Sequence, residues 1–345
     1  MKFSKTMAAV AGVGLVAAGL LTAAPASADP SGPDSPYSGR PLQGVGSDTT
    51  QNVMSDLANV VTISGAKQLA SWDAVGGSAT FQTRASAACT YTRTEANGSG
   101  AGRSRLLESL QTLNARSGCL DFSRSSSARG TTVTTPSLTW IPFAKDASTY
   151  VVRADGTSPR NLPLADVITA YKCGFPADPA NGDPGIIPVL PQTGSGSRAF
   201  WLGVIGVTEA QITSTYPCLR GLGTAASPAY EQENDSRNLL PNQIAPFSIG
   251  LFNVQAAGVN ADNRGNTVMA QIGGTLPVAS STVFPVSRDL FNVVPTAKLA
   301  VAPTSTVFVG PTSLICSNPT TIAANGFAPL TASSTPVCGD TSSQS

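Results

Sequence analysis

The sequence predicts an α/β fold built in layers, and three observations carry that prediction. Short apolar stretches alternate with segments of helical period. A Gly/Ser-rich turn stands before each of the clearest helical segments. No unit of 20–50 residues repeats along the 345 residues, which excludes a solenoid. The 33 Gly and 26 Pro are spread without a fixed period, as in a loop-rich globular chain, and charged residues make up only 12%.

The elements follow in order. Lys2 and Lys5 precede an apolar or small run from Thr6 to Ala24, and Ala26-Ser27-Ala28 gives the small-x-small site of a cleaved signal peptide, residues 1–28. The alternative is an uncleaved anchor, because the run is nearly long enough to span a bilayer. The cleavage site and the Asp29-Pro30-Ser31-Gly32-Pro33 stretch behind it point to removal after Ala28. No cysteine follows the run directly, so no lipid anchor is expected and the mature chain, Asp29–Ser345, is read as secreted and extracellular. Residues 29–40 read as a disordered lead-in. Leu42–Val45 reads as a strand, Gly46-Ser47-Asp48 as a turn, and Thr49 to about Val61 as a helix with apolar positions Val53, Met54, Leu57, Val60 and Val61. Asp48 with Gln51 fits a capping box. A second unit places Asn97-Gly98-Ser99-Gly100-Ala101-Gly102 before a helix whose face is Leu106, Leu107, Leu110 and Leu113. A third runs from an apolar strand, Ile187–Leu190, through Thr193-Gly194-Ser195-Gly196-Ser197 to a helix carrying Phe200, Trp201, Val204 and Ile205.

Composition excludes several functions. Histidine is absent, which removes Ser-His-Asp and Cys-His catalysis and every imidazole metal site. Loss of Lys2 and Lys5 from the 21 basic residues leaves 19 against 20 acidic ones, so no overall field draws the chain to nucleic acid or to a membrane surface. Six cysteines in an exported chain favour disulfides, with 15 possible connectivities. Sequence neighbours close the shortest loops, so the expected bridges are Cys89–Cys119, Cys173–Cys218 and Cys316–Cys338. A cysteine metal site would need CxxC pairs, and there are none.

Ser64-Gly65-Ala66-Lys67 matches an SxxK pattern, but its Lys-Thr-Gly partner is missing and Ser64-Gly65 reads better as the end of the first helix. Glu95 and Asp121 are a conceivable carboxylate pair of unknown separation. Trp72, Trp140 and Trp201 read as core residues, with sugar stacking as the alternative.

The Gly/Ser turns have a shared physical meaning. Helix starts leave N–H groups without intrahelical partners, glycine lets the backbone come close, and hydroxyls add donors, so such turns can bind an oxyanion. Each taken singly is more often only a helix cap. Of the arginines in or beside these loops (Arg93, Arg103, Arg105, Arg124, Arg129 and Arg198), Arg124 and Arg198 are the candidate counter-charges, the others pairing with acids or solvating loops.

Gly44-Val-Gly-Ser-Asp-Thr-Thr50, Asn97-Gly-Ser-Gly-Ala-Gly102, Asp121-Phe-Ser-Arg-Ser-Ser126 and Pro191-Gln-Thr-Gly-Ser-Gly-Ser-Arg198 occur in an order that resembles the substrate-binding proteins of phosphate ABC transporters, in their secreted actinobacterial branch. Ile141-Pro-Phe-Ala-Lys-Asp-Ala147 and Leu162-Pro-Leu-Ala-Asp-Val-Ile168 are similar to the family's passage into its second domain, and Phe284-Pro-Val-Ser-Arg-Asp-Leu290 to its return strand. The resemblance covers roughly 41–330. It implies a type 2 periplasmic-binding-protein fold with two lobes joined by two crossovers: lobe one at 41–140 and 285–345, lobe two at 141–284. It also implies a ligand cleft between them lined by Ser47, Asp48, Thr49, Ser99, Arg124, Ser125, Ser126, Ser195, Gly196, Ser197 and Arg198. The chain departs from the family where phosphate is gripped: Asp48 stands at a Thr position, Ser126 at an Asp position and Pro191 at an Arg position. The resulting expectation is a monomeric, extracellular, non-enzymatic solute-binding protein. Its ligand would be a small oxyanion such as phosphate, an ABC permease its partner, and it would need no cofactor. The alternatives are a protein of this fold that binds a surface partner or polymer without transport, or a phosphoester hydrolase.

Overall fold

The structure, a computed structural model, describes residues 29–30, 39–131, 133–219, 232–278 and 284–345. The expected signal segment 1–28 and lead-in residues 31–38 lie outside the described residues. Among the described residues no helix is long and apolar enough to cross a membrane.

Among the described residues, one nine-stranded mixed sheet organises the chain. In chain order its strands are β1 (Leu42–Gly46), β2 (Leu69–Ser71), β3 (Phe122–Ser125), β4 (Leu138–Arg153), β5 (Ile187–Pro188), β6 (Gln243–Ser248), β7 (Thr267–Met269), β8 (Ser287–Pro295) and β9 (Ala328–Pro329). The path across the sheet is β5-β6-β4-β8-β3-β1-β2, with β7 and β9 also pairing with β4. β2, β1 and β3 are parallel, and every residue of β1 is buried, as a strand covered by helices on both faces requires. The 16-residue β4 belongs to both ends of the molecule. Its first part pairs antiparallel with β8 and its last part with β6 and β7.

Helix α1 (Gln51–Val60) buries Val53, Met54 and Leu57, whereas Val60, expected on that face, is 47% exposed. The expected Asp48/Gln51 capping box does not form. Thr50 is the N-cap without a side-chain bond, because the Gln51 amide oxygen accepts from Ala74 N and Val75 N. Ser64 and Gly65, both left-handed at φ 50 and 81, form the turn of a small hairpin (62–63 with 66–67), so they do not end the helix. Helix α2 (Ser99–Leu110) buries Leu106 and half-buries Leu107 and Leu110, while Leu113 lies past its end and is fully exposed. It settles close to β1: a Cβ on Gly102 would come within 2.5 Å of Gly46 Cα, so this crossing admits only glycine. Helix α3 (Leu164–Tyr171) and helix α4 (Gly196–Ile205) meet through Tyr171 and Trp201, whose rings lie 5.6 Å apart edge to face.

Among the described residues, three apolar clusters fill the interior. One is drawn from Ala147 to Val286 and includes α3, α4 and Trp201. A second combines Val45–Trp140 with Phe291 and Val293. The largest mixes both regions, packing Val53 and Phe122 with Val189, Phe247 and the C-terminal Phe308 and Phe327. All three tryptophans are core residues, at 4%, 2% and 0% exposure for Trp72, Trp140 and Trp201. The three expected disulfides are present, Cys89–Cys119, Cys173–Cys218 and Cys316–Cys338, with Cα separations of 5.2, 5.6 and 6.0 Å.

Candidate anion-binding site

Three loops meet where β1, β3 and α4 end or begin. The first is Ser47–Thr50, between β1 and α1. The second is Ser126, just past β3. The third is the Ser195 turn that opens α4. A Cβ on Gly196 would come within 2.1 Å of Ser99 Oγ and 2.3 Å of Ser126 Oγ, so glycine is what lets the α4 start close against the opposite loops. Gly100 N donates to Gly194 O at 3.0 Å, tying the α2 turn to the same place.

The hydroxyls and amides of these loops converge on one group, the carboxylate of Glu233, which is 1% exposed. Its Oε1 lies 3.2 Å from Ser47 Oγ and Thr49 Oγ1 and accepts from Thr49 N at 3.2 Å. Its Oε2 accepts from Ser197 N at 2.9 Å and from Ser195 Oγ. Ser195 Oγ also caps α4 by accepting from Arg198 N at 3.1 Å. Behind this cradle, Ser47 Oγ lies 2.9 Å from Ser126 Oγ, and Ser99 Oγ accepts from Ser126 N at 3.0 Å.

The counter-charge at the cradle is Arg288 on β8. Its Nη1 donates to Ser197 Oγ at 2.9 Å and to Ser126 O at 3.2 Å. Its Nη2 and Nε hold Asp146 Oδ2 at 2.9 and 3.1 Å, across the β4–β8 register that sets Arg288 opposite Asp146. Both side chains are almost wholly buried, at 3% and 0%. Burial raises the Asp146 carboxyl, and Arg288 pulls it back down. Phe200 lies under the guanidinium, 5.3 Å from ring centroid to Cζ.

The remaining predicted residues take other places. Arg124 is fully buried and donates to Gly46 O, Ser47 O, Trp72 O and Ser71 Oγ, which fixes the first loop from behind. Burial lowers its guanidinium to about 10. Arg198 pairs with Glu209 at 2.7 Å and donates to Pro191 O at 2.9 Å. Ser125 Oγ turns to Ser127 O. Asp48 Oδ2 accepts from Gln232 Nε2 at 3.3 Å, and burial, reinforced by the Glu233 charge, holds its carboxyl well above the usual range. Glu95 and Asp121 are each held by arginines, Glu95 by Arg105 and Arg116 and Asp121 by Arg84. Among the described residues no group of three or more acids or cysteines is arranged to hold a metal ion.

Two central residues, Arg288 and Glu233, were not among the predicted set. Arg288 sat in view within the return-strand motif, and only the β4–β8 register reveals that it faces Asp146 and the loops. Glu233 lies in Gln232-Glu233-Asn234-Asp235, a polar run without a motif.

No protein-family model matches the sequence, and a search of curated proteins finds no match. Solved structures do resemble it. A substrate-binding protein of the phosphate ABC-transporter type from Clostridium perfringens, solved with bound phosphate, has a TM-score of 0.55 at 14% identity, over 84% of this chain and 99% of that one. An ABC-type phosphate transport receptor from Vibrio cholerae has a TM-score of 0.51 at 15% identity, over 83% and 99%. The fold is therefore that of the two-lobed, type 2 periplasmic binding proteins.

Proposed function

We propose that the protein is an extracellular solute-binding protein that captures a small oxyanion, phosphate or a close analogue, without turning it over. One observation carries this reading: the hydroxyls of Ser47, Thr49 and Ser195 and the amides of Thr49 and Ser197 gather around a single acidic group in a buried space. Preorganised neutral donors of this kind suit oxyanions generally. The two Glu233 oxygens mark where two oxygens of a bound anion would sit. Ser126 and Arg288 complete the proposed site, with Arg288 supplying the charge assigned from sequence to Arg124 and Arg198. The proposed lobes are 41–140 with 285–345 and 141–284, closing about β4 and β8. The partner this reading implies is an ABC permease, and the protein would act as a monomer. A second reading, a role without transport toward a surface partner or polymer, is favoured by one observation, that Glu233 already fills the cradle.

The test is a thermal-shift panel on Asp29–Ser345 with phosphate, sulfate, phosphonates, sugars and metal ions. Free ligand at 100 times its Kd stabilises the folded protein by about 2.7 kcal/mol. Ser47→Ala removes one donor to a charged acceptor and is expected to weaken phosphate binding roughly tenfold or more. Absence of any response to phosphate, sulfate or a small carboxylate, with Glu233 present or replaced and the fold retained, would overturn the oxyanion reading.

A further inference from the structure

We propose that Glu233 is an internal ligand: its carboxylate reversibly occupies the oxyanion cradle and competes with free anions for it. The proposal rests on the reading of that cradle as an oxyanion site. Glu233 takes the donors a free anion would need, from both sides of the cleft, through Ser47 and Thr49 on one side and Ser195 and Ser197 on the other.

Its neighbours hold it there. Gln232 bridges Asp48 and Asn97, with Asn97 Nδ2 donating to Gln232 Oε1 at 2.8 Å. Glu233 N donates to Gln192 Oε1 at 3.2 Å. Asn234 is left-handed at φ 63, a conformation that asparagine adopts more readily than most residues other than glycine. Its side chain is clamped at both ends, with Nδ2 donating to Thr49 Oγ1 at 3.2 Å and Oδ1 accepting from Ser248 N at 3.1 Å. This three-residue clasp aims the carboxylate inward.

A tethered competitor acts at a high effective concentration, so only an anion with more to gain displaces it. Phosphate brings four oxygens against two, and so can also engage Ser126 Oγ and Ser197 Oγ, to which Glu233 makes no bond. Occupancy of the cradle by Glu233 about 90% of the time raises the apparent Kd about tenfold. Glu233 thus sets an affinity threshold that excludes weak monovalent anions.

The experiment is isothermal titration of the whole mature chain, wild type and Glu233→Ala, with inorganic phosphate and, separately, sodium acetate. Glu233→Ala is expected to bind phosphate at least tenfold more tightly than wild type. Acetate is expected to raise the Tm of Glu233→Ala and leave wild type unchanged, because it refills the vacated position. Equal phosphate affinity in the two proteins would overturn the competitor assignment and leave the oxyanion reading standing. No anion bound by either folded protein would overturn the oxyanion reading itself. If Glu233→Ala does not fold, Glu233→Gln serves in its place: it keeps the volume and one acceptor oxygen but no charge, and an unchanged phosphate affinity there also overturns the assignment.

Discussion

Removing Arg288 tests how the centre of the molecule is held together. Arg288→Met keeps the length and apolar body of the side chain over Phe200 but deletes the guanidinium. Asp146, which has no exposed side-chain surface, then loses both bonds from Arg288 to Oδ2 and keeps the Ser248 Oγ bond to Oδ1 at 2.8 Å and a bond from the Gly250 backbone amide. Leaving one member of a buried pair without its partner costs about 3–5 kcal/mol. At roughly 2–4 °C per kcal/mol for a domain of this order of size, Tm falls by roughly 6–20 °C. Ser126 O and Ser197 Oγ also lose their shared donor, so part of the loss falls on the contact between the loops. The assay is thermal and urea unfolding of wild type, Arg288→Met, Asp146→Asn and the double variant. In the double variant no charge remains to be buried, so it recovers a substantial part of the single loss and the cycle gives a coupling of more than about 1 kcal/mol. A Tm for Arg288→Met within a degree of wild type, or strictly additive single effects, would refute the assignment of this pair as the structural link.

Two further outcomes follow from groups outside the cradle. Burial raises the Asp73 carboxyl to about 7, with Arg124 and Arg93 opposing the rise and Asp29 adding to it. A carboxyl raised on folding binds its proton more tightly when folded. The stability contributed by this one group is therefore greatest below about pH 4, falls by up to about 1.4 kcal/mol per unit as pH rises toward 7, and levels off above. The difference in Tm between wild type and Asp73→Asn, followed from pH 4 to 8, is expected to show this slope, and a flat difference would contradict it. Replacing Cys173 and Cys218 together by serine opens a loop of 45 residues and is expected to cost about 2–4 kcal/mol, read as a lower Tm, while phosphate binding through the Ser47 loop persists.

The parts of the fold that local chemistry dictates were legible in the sequence. The three Gly/Ser turns announce helix starts because glycine and hydroxyl residues do there what few others can, and the cysteines pair with their chain neighbours. The misreadings came from side chains with two possible partners. Gln51 was free to cap its own helix but meets Ala74 and Val75 instead, and Ser64-Gly65 closes a hairpin where a helix end was expected. At the cradle, Ser47, Thr49, Ser195 and Ser197 were visible because they belong to those turns. Arg288 and Glu233 reach it only through strand register and a distant loop, information that no local spacing contains. Arg124 and Arg198 were plausible by proximity in sequence, yet carbonyl groups and Glu209 had the stronger claim on them.

The route of β4 and β8 also governs the order in which the chain can fold. β3 and β4 both need β8 as a neighbour, and Asp146 meets Arg288 across 142 residues of sequence. The middle of the sheet therefore stays open until residues 287–295 have been synthesised. Two of the disulfides behave in the opposite way: Cys89–Cys119 and Cys173–Cys218 close over only 30 and 45 residues, all of them made before β8. Local covalent loops are thus available early, whereas the strand that joins the two regions arrives late, a high contact order that slows collapse to the native state. Until then β3 and β4 present open edges, the interval in which a nascent chain is most open to misassociation.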